Sequence, residues 1–193
     1  MPGPFEHSNY LLRKQALRLF GGKFRIYDPA GALVLFADMK AFKLREDITI
    51  HPDESKASTF LQIKARQIID FSAAYDVFDS PSGQKIGALK RRGFKSMLKD
   101  EWVIMDADDK EIGMIQEDKW LLALLRRFAT NLIPQTFHGD IGGTEVFRFR
   151  QHFNPFLFKI DLDFSPDKGN LLDRRMGIAA AVLMCSVEGR ETN

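Results

Sequence analysis

The sequence predicts a mainly β protein (β+α), a closed antiparallel barrel wrapped around a buried hydrophobic C-terminal helix. Three observations lead there. An alternating apolar run that ends at Asp, then a short polar turn, then a second apolar run, occurs three times: FRIYDPAGALVLF (24–36), YDVFDSPSGQKIGAL (75–89) and WVIMDADDKEIGMI (102–115). Near the end of the chain, MGIAAAVLMC (176–185) carries no polar side chain. Phe, which packs well on pleated surfaces, appears 17 times against two Trp and three Tyr.

Taken in chain order, YLLRKQALRLF (10–20) is ambiguous in period and fits a strand or a helix. The first hairpin turns at Asp28, Pro29 and Gly31, and the second at Asp79, Pro81 and Gly83. Asp bonds its own backbone, Pro presets φ, and Gly accepts positive φ. AFKLREDITI (41–50) and TFLQIKARQII (59–69) read as strands between these hairpins. DKWLLALLRRFATNL (118–132) reads as an amphipathic helix, with Trp120, Leu121, Leu125 and Phe128 on its apolar arc and Pro134 beyond its end. In EVFRFRQHF (145–153), Phe147, Phe149 and Phe153 share one face, and Arg148, Arg150 and His152 share the other. FLFKIDLDF (156–164) is a further strand. A terminal helix starts with Asn170 as N-cap and Asp173 in its first turn, and Gly189 is its expected stop.

That last helix decides the architecture. About ten apolar residues are too few to span a bilayer, and a helix apolar on every side must be buried on every side. Gly177, Ala179, Ala180 and Ala181 make it thin. Strands in hairpins plus one thin apolar helix imply a barrel closed around that helix, which fills the lumen and removes exposed sheet edges together. Cys185, the lone cysteine, is expected inside as a small hydrophobe.

With 193 residues, 45% hydrophobic and 28% charged, the chain reads as one domain over 1–193, with residues 1–9 expected to be flexible. A net charge of +2 excludes a protein that coats nucleic acid by bulk charge, so nucleic acid is not an expected partner. The opening MPGPFEHSNY has no secretory pattern, and Pro2 stands where N-myristoylation needs Gly. A single cysteine forms no intramolecular disulfide and suits a reducing cytoplasm.

Several stretches in this order resemble the Tubby C-terminal-like superfamily, in particular its LURP-one-related and phospholipid-scramblase-like branches. They are KFRIYDPAGALVLFADMKAFKLRED (23–47), LQIKARQIIDFSAAYDVFDSPSGQKIGALKRR (61–92) and LLDRRMGIAAAVLMC (171–185). The resemblance implies about twelve strands around the hydrophobic helix. It also implies membrane association, because Tubby domains bind phosphoinositide headgroups and scramblase relatives associate with membranes. The scramblase branch adds a proline-rich extension and palmitoylated cysteines. This chain matches neither, so stable anchoring is not expected.

The residues themselves offer three candidate surfaces. In KRRGFKSMLKD (90–100), Lys90, Arg91, Arg92, Lys95 and Lys99 alternate with Phe94, Met97 and Leu98. Such a mixture attracts phosphate and enters a lipid interface, although a solvated strand edge protected by Lys and Arg is the commoner use. The arc of Trp120, Leu121 and Leu125 would insert into a membrane if it did not pack on the barrel, and packing is the commoner fate. Arg148 and Arg150 either join the first patch around an anionic headgroup or form the wet face of a sheet.

For metals, Asp161, Asp163 and Asp167 precede the helix at near-alternate spacing, a weak calcium candidate because Pro166 stands where the loop Gly belongs. DADDKEIGMIQE (106–117) has EF-hand length, but Lys110 and Glu111 break the pattern and a hairpin turn is the better reading. His7, His51, His138 and His152 show no metal-ligand spacing, so no catalytic residue and no cofactor is expected. The function these readings favour is a non-enzymatic cytoplasmic module, peripheral at a membrane and binding anionic phospholipid headgroups. A soluble module for an unknown protein partner is the alternative, and an enzyme whose site assembles only in three dimensions is the third class.

Overall fold

The computed structural model describes residues 2–15, 22–39, 47–66, 74–92, 101–117, 136–152 and 157–191. Within them, twelve strands close into one antiparallel barrel. In order they are β1 (Asn9–Gln15), β2 (Gly22–Tyr27), β3 (Leu33–Met39), β4 (Asp47–His51), β5 (Leu61–Ala65) and β6 (Ala74–Asp79), then β7 (Lys85–Arg91), β8 (Glu101–Met105), β9 (Glu111–Glu117), β10 (Thr136–Ile141), β11 (Thr144–His152) and β12 (Leu157–Asp163). Each pairs with its neighbours in sequence, and β1 closes the ring on β12 with Leu12 opposite Ile160.

Alternation sets which face each side chain takes. Phe24 and Ile26 of β2 are buried while Lys23 is exposed. In β11, Phe147 and Phe149 are buried and Arg148 and Arg150 exposed, as their spacing predicts. The expected turns form too. Asp28 accepts from the amide of Ala32 at 2.8 Å and Asp106 from that of Lys110 at 2.9 Å, so the two turns share one bonding plan. Gly31 has φ 83° at the third position after Asp28, and Asp109 has φ 67° at the same position after Asp106. A short polar side chain tolerates that left-handed backbone better than most. A register shift precedes the turn in all four tight hairpins, at Ile26/Tyr27, Val77/Phe78, Ile104/Met105 and Gly139/Asp140.

Helix α1 (Arg174–Glu191) occupies the lumen. Every residue from Met176 to Ser186 is buried, Cys185 among them. The one hydroxyl there, on Ser186, donates to the Val182 carbonyl at 2.7 Å and so needs no partner from the wall. Small residues let the wall approach. A Cβ on Gly177 would sit 2.6 Å from Cζ of Phe164, and a Cβ on Gly87 of β7 would sit 2.8 Å from Cε of Met176. Phe164 in turn meets Tyr10 edge-on at 6.0 Å. Among the described residues, no helix is long and apolar enough to cross a membrane.

The helix begins later and ends later than its sequence suggests. Its N-cap is Asp173, whose carboxylate accepts the Arg175 amide at 2.9 Å, and not Asn170, which lies outside the helix at φ 49°. Asp167 explains the shift. It takes the amides of Leu171 and Leu172 at 2.8 and 3.0 Å, holding that stretch in a loop. At the other end the helix continues past Gly189. Strand β10 was not expected from its sequence. Residues 10–15 resolve as part of strand β1, and of the run 41–50 only β4 is described. The helix expected over 118–132 lies outside the described residues. In the opening segment, Phe5 packs edge-on against Phe60 at 5.6 Å, and the Tyr10 hydroxyl donates to the Pro4 carbonyl at 3.0 Å.

Because the strands alternate in direction, the barrel has two distinct rims. The described turns 28–32, 52–60, 80–84, 106–110 and 142–143 all lie on one rim, with residues 2–8 and the segment 164–173 that leads into α1. This is the entry rim, and the opposite one is the far rim.

Two substitutions test the packed lumen. Ala180→Asp is expected to abolish cooperative folding, since an unpaired buried charge costs several kcal/mol against a total stability of about 5–15 kcal/mol. A soluble Ala180→Asp variant with a cooperative thermal transition would contradict the enclosed helix. Gly177→Ala is expected to cost about 1–3 kcal/mol by overpacking, and adding Phe164→Leu should recover part of that loss, which calorimetry can read as non-additive Tm shifts.

Candidate functional site

Lys90 and Arg91 are the last two residues of β7, and Arg92 follows them, so all three sit at the far rim. Lys90 projects from the outer face opposite Val103 and is half-buried, whereas Arg92 is exposed and lies 3.7 Å from Glu111. Lys95 and Lys99 lie outside the described residues, as do Trp120, Leu121 and Leu125. Arg148 and Arg150 stand on the outer face of β11, with Arg148 2.7 Å from Glu145. The order β7-β8-β9-β10-β11 puts three strands between the two groups. At about 4.8 Å per strand the gap is about 19 Å along the wall, so they do not form one headgroup pocket.

The barrel assembles a further basic row that sequence spacing does not show. Lys159 of β12 faces Arg13 of β1, and Arg13 faces Arg25 of β2. Barrel closure brings these positions together across most of the chain length. The usable signal was the alternation within each strand, but the partners of β1 could not be read from it. The Arg13 guanidinium lies over the Tyr27 ring at 5.1 Å. Arg25 is held by Glu54 through two bonds of 2.6 and 3.0 Å, which keeps the Glu54 carboxyl below its ordinary pKa.

The carboxylates have their own assignments. Asp161 pairs with His152, and Asp163 accepts from Asn9 at 2.9 Å and from the Ser165 amide at 2.8 Å. Asp167 caps the loop before α1. The three therefore turn to separate partners, and among the described residues no group of three His, Cys, Asp or Glu is placed to hold a metal ion. On the outer wall Arg66, Asp76, Lys85 and Asp109 form a ring of alternating charges, with Arg66 bonding both Asp76 and Asp109, Lys85 2.6 Å from Asp109 and 3.3 Å from Asp76. Lys85 first and Arg66 second hold the Asp109 carboxyl below its usual pKa.

At the entry rim, Arg175 lies 2.9 Å from Asp79 and also bonds Asp173, and Arg174 donates to the carbonyls of Glu6 and His7. Two arginines in the first turn of α1 thus tie the helix to the β6–β7 turn and to the N-terminal segment. The Asp79 carboxyl is held low, chiefly by its bonds from Ser82 and then by Arg175. Burial pushes the Tyr10 hydroxyl up to about 12.

These shifts give a pH dependence with a definite sign. Asp79 and Asp109 have folded pKa values below their unfolded ones, so the stability they contribute is present above the unfolded value and lost as pH falls through the folded one. The urea midpoint is expected to change little from neutrality down to about pH 5 and to fall below about pH 4. Asp79→Asn with Asp109→Asn should lower the neutral midpoint and flatten the acid limb. An unchanged acid limb in that variant would show that other carboxylates control the transition.

No curated protein matches this chain. A family model described as LURP-one-related matches residues 33–189, from the third strand through nearly all of α1. The match covers most of the chain, ten of the twelve strands and the enclosed helix down to Gly189. The chain belongs to the LURP-one-related family, within the Tubby C-terminal-like superfamily.

Proposed function

We propose that this LURP-one-related barrel is a non-enzymatic cytoplasmic module that binds the anionic phospholipid headgroups of a membrane surface peripherally. The observation that carries this reading is the basic end of β7 at the far rim. Lys90, Arg91 and Arg92 end β7 there. The sequence that follows, 93–100, lies outside the described residues and holds Lys95 and Lys99 beside Phe94, Met97 and Leu98. Cations beside aromatic and aliphatic groups are what a bilayer interface selects, since the charge meets the headgroups and the rings enter the boundary layer. The lone Cys185 in the lumen supports a reducing compartment.

Co-sedimentation with vesicles tests the reading. Binding is expected to phosphatidylserine-containing vesicles and not to neutral phosphatidylcholine, and it should weaken as ionic strength rises to about 0.15 M. Replacing Lys90, Arg91 and Arg92 with Gln should weaken it by up to about a hundredfold, at about 1 kcal/mol for each cation near the surface. Absence of binding to anionic vesicles at low salt would overturn the proposal and turn the search to a protein partner.

A further inference from the structure

The outer faces of β11, β12, β1 and β2 form one continuous sector of the wall. Its Lys and Arg residues are Arg148, Arg150, Lys159, Arg13, Lys23 and Arg25, whereas Lys14 of β1 lies over the buried Phe24 ring at 5.3 Å. Its acids are Glu145, Asp161 and Asp163, and Glu54 reaches in from the turn 52–60. Each acid is engaged: Glu145 by Arg148, Asp161 by His152, Asp163 by Asn9 and Ser165, and Glu54 by Arg25. Lys23 stands opposite Asp38, which Lys56 bonds. That leaves Arg150, Lys159 and Arg13. Among the described residues, no acid lies within salt-bridge distance of any of the three.

These three are neighbours across strands. Lys159 and Arg13 are direct partners, and Arg150 is opposite Asp161, one diagonal step from Lys159. At about 5 Å for the direct step and about 7–8 Å for the diagonal one, they cover about 12 Å of the wall. Like charges directly opposite each other destabilise a sheet, and Arg25 adds another on the far side of Arg13. Arg13 offsets part of this by lying over the Tyr27 ring at 5.1 Å. An anion from outside would relieve the rest.

The surroundings of the cations select the kind of anion. A bilayer interface calls for exposed apolar groups beside the charge, but the exposed large hydrophobic side chain among the described residues is Leu171, on the entry rim and away from this wall. Single-stranded nucleic acid calls for open rings on which bases stack, and the Arg13 guanidinium covers Tyr27. A closed barrel offers no strand edge for a peptide to extend, so a peptide here is held by side-chain charge. In an extended peptide, alternate side chains recur about every 6.8 Å. Acids at three alternate positions therefore span about 14 Å, close to the length of the cation row. We infer that Arg150, Lys159 and Arg13 form a docking surface for an extended acidic segment of a protein partner, with carboxylates at alternate positions. This surface is separate from Lys90–Arg92 and does not rest on the membrane reading above.

Fluorescence anisotropy on the full chain tests the surface. The probe is an end-labelled peptide of alternating Glu and Ser, with its Gln–Ser counterpart as the neutral control. The Glu peptide is expected to bind at low salt and the Gln peptide not, and binding should weaken several-fold as ionic strength rises to about 0.15 M. Arg150→Gln with Lys159→Gln and Arg13→Gln should lower the affinity by about tenfold, the effect of three exposed ion pairs. Lys64→Gln with Lys110→Gln and Lys168→Gln removes the same charge from exposed lysines elsewhere and should change it less than about twofold. Equal losses in the two triple variants would mean attraction by net charge alone and overturn the site, as would no binding of the Glu peptide at low salt. Charge reversal is a second check: Arg13→Glu with Lys159→Glu should lose the Glu peptide and take up a Lys–Ser peptide, and a folded reversed variant that binds neither contradicts the assignment. A lower Tm for Lys159→Gln than for the wild type would assign that cation to the fold instead. Loss of phosphatidylserine-vesicle binding in the Arg150, Lys159 and Arg13 variant, with peptide binding intact, would assign the row to the bilayer and overturn the proposal.

Discussion

A helix with no polar face has to be surrounded, and the rest of this protein follows from that need. From Met176 to Ser186 the backbone bonds itself, the only hydroxyl bonds back to Val182, and nothing is left that water would solvate. A flat sheet would cover only one side of such a helix. A closed ring covers all of it and leaves no strand edge to pair with another chain. Closure then demands that the first and last strands meet in register, which fixes Leu12 opposite Ile160 and carries Tyr10 onto Phe164. Phe164 fits because Gly177 yields the space. The thinness of the helix and the size of the aromatic wall are two sides of one packing solution.

The same architecture sorts charge. An all-antiparallel ring sends alternate connections to opposite rims, so the composition of two sets of loops becomes the composition of two surfaces. At the entry rim acidic residues serve the fold first. They begin turns at Asp28 and Asp106, cap the approach to α1 at Asp167 and Asp173, and hold Arg175 at Asp79. Their sum is a negative rim on a chain whose net charge is only +2. On the described wall, Arg25, Arg66, Lys85 and Arg148 each meet an acid.

Much of the fold was legible because its signals are local. The Asp-to-Gly turns announced the hairpins, Phe147 and Phe149 alternated with Arg148 and Arg150 as the structure has them, and the apolar run 176–185 identified the lumen helix. What escaped depended on distant partners. β10 packs Phe137 and the partly buried Ile141 against the core, but between them Gly139, opposite Phe147, must stay empty; a Cβ there would meet the Phe147 ring. TFHGDI therefore lacks strand alternation when read alone. Asp173 displaced Asn170 as N-cap because Asp167 bonds two amides ahead of the helix, a contact that spacing does not reveal. The candidate basic residues Lys90 to Arg92 and Arg148 to Arg150 were visible as charge, but their separation by three strands was not. The Lys159–Arg13–Arg25 row needed barrel closure before it existed.

The claim on which everything else stands is that α1 is enclosed by the barrel wall. Hydrogen exchange of its amides tests that most directly. If the wall surrounds the helix, the amides of residues 178–186 exchange only when the whole barrel opens, so their opening free energy and its urea dependence match those of global unfolding. Exchange in that stretch at a lower free energy, insensitive to urea while the strands stay protected, would mean that the helix leaves the lumen on its own and would contradict the enclosed-helix account.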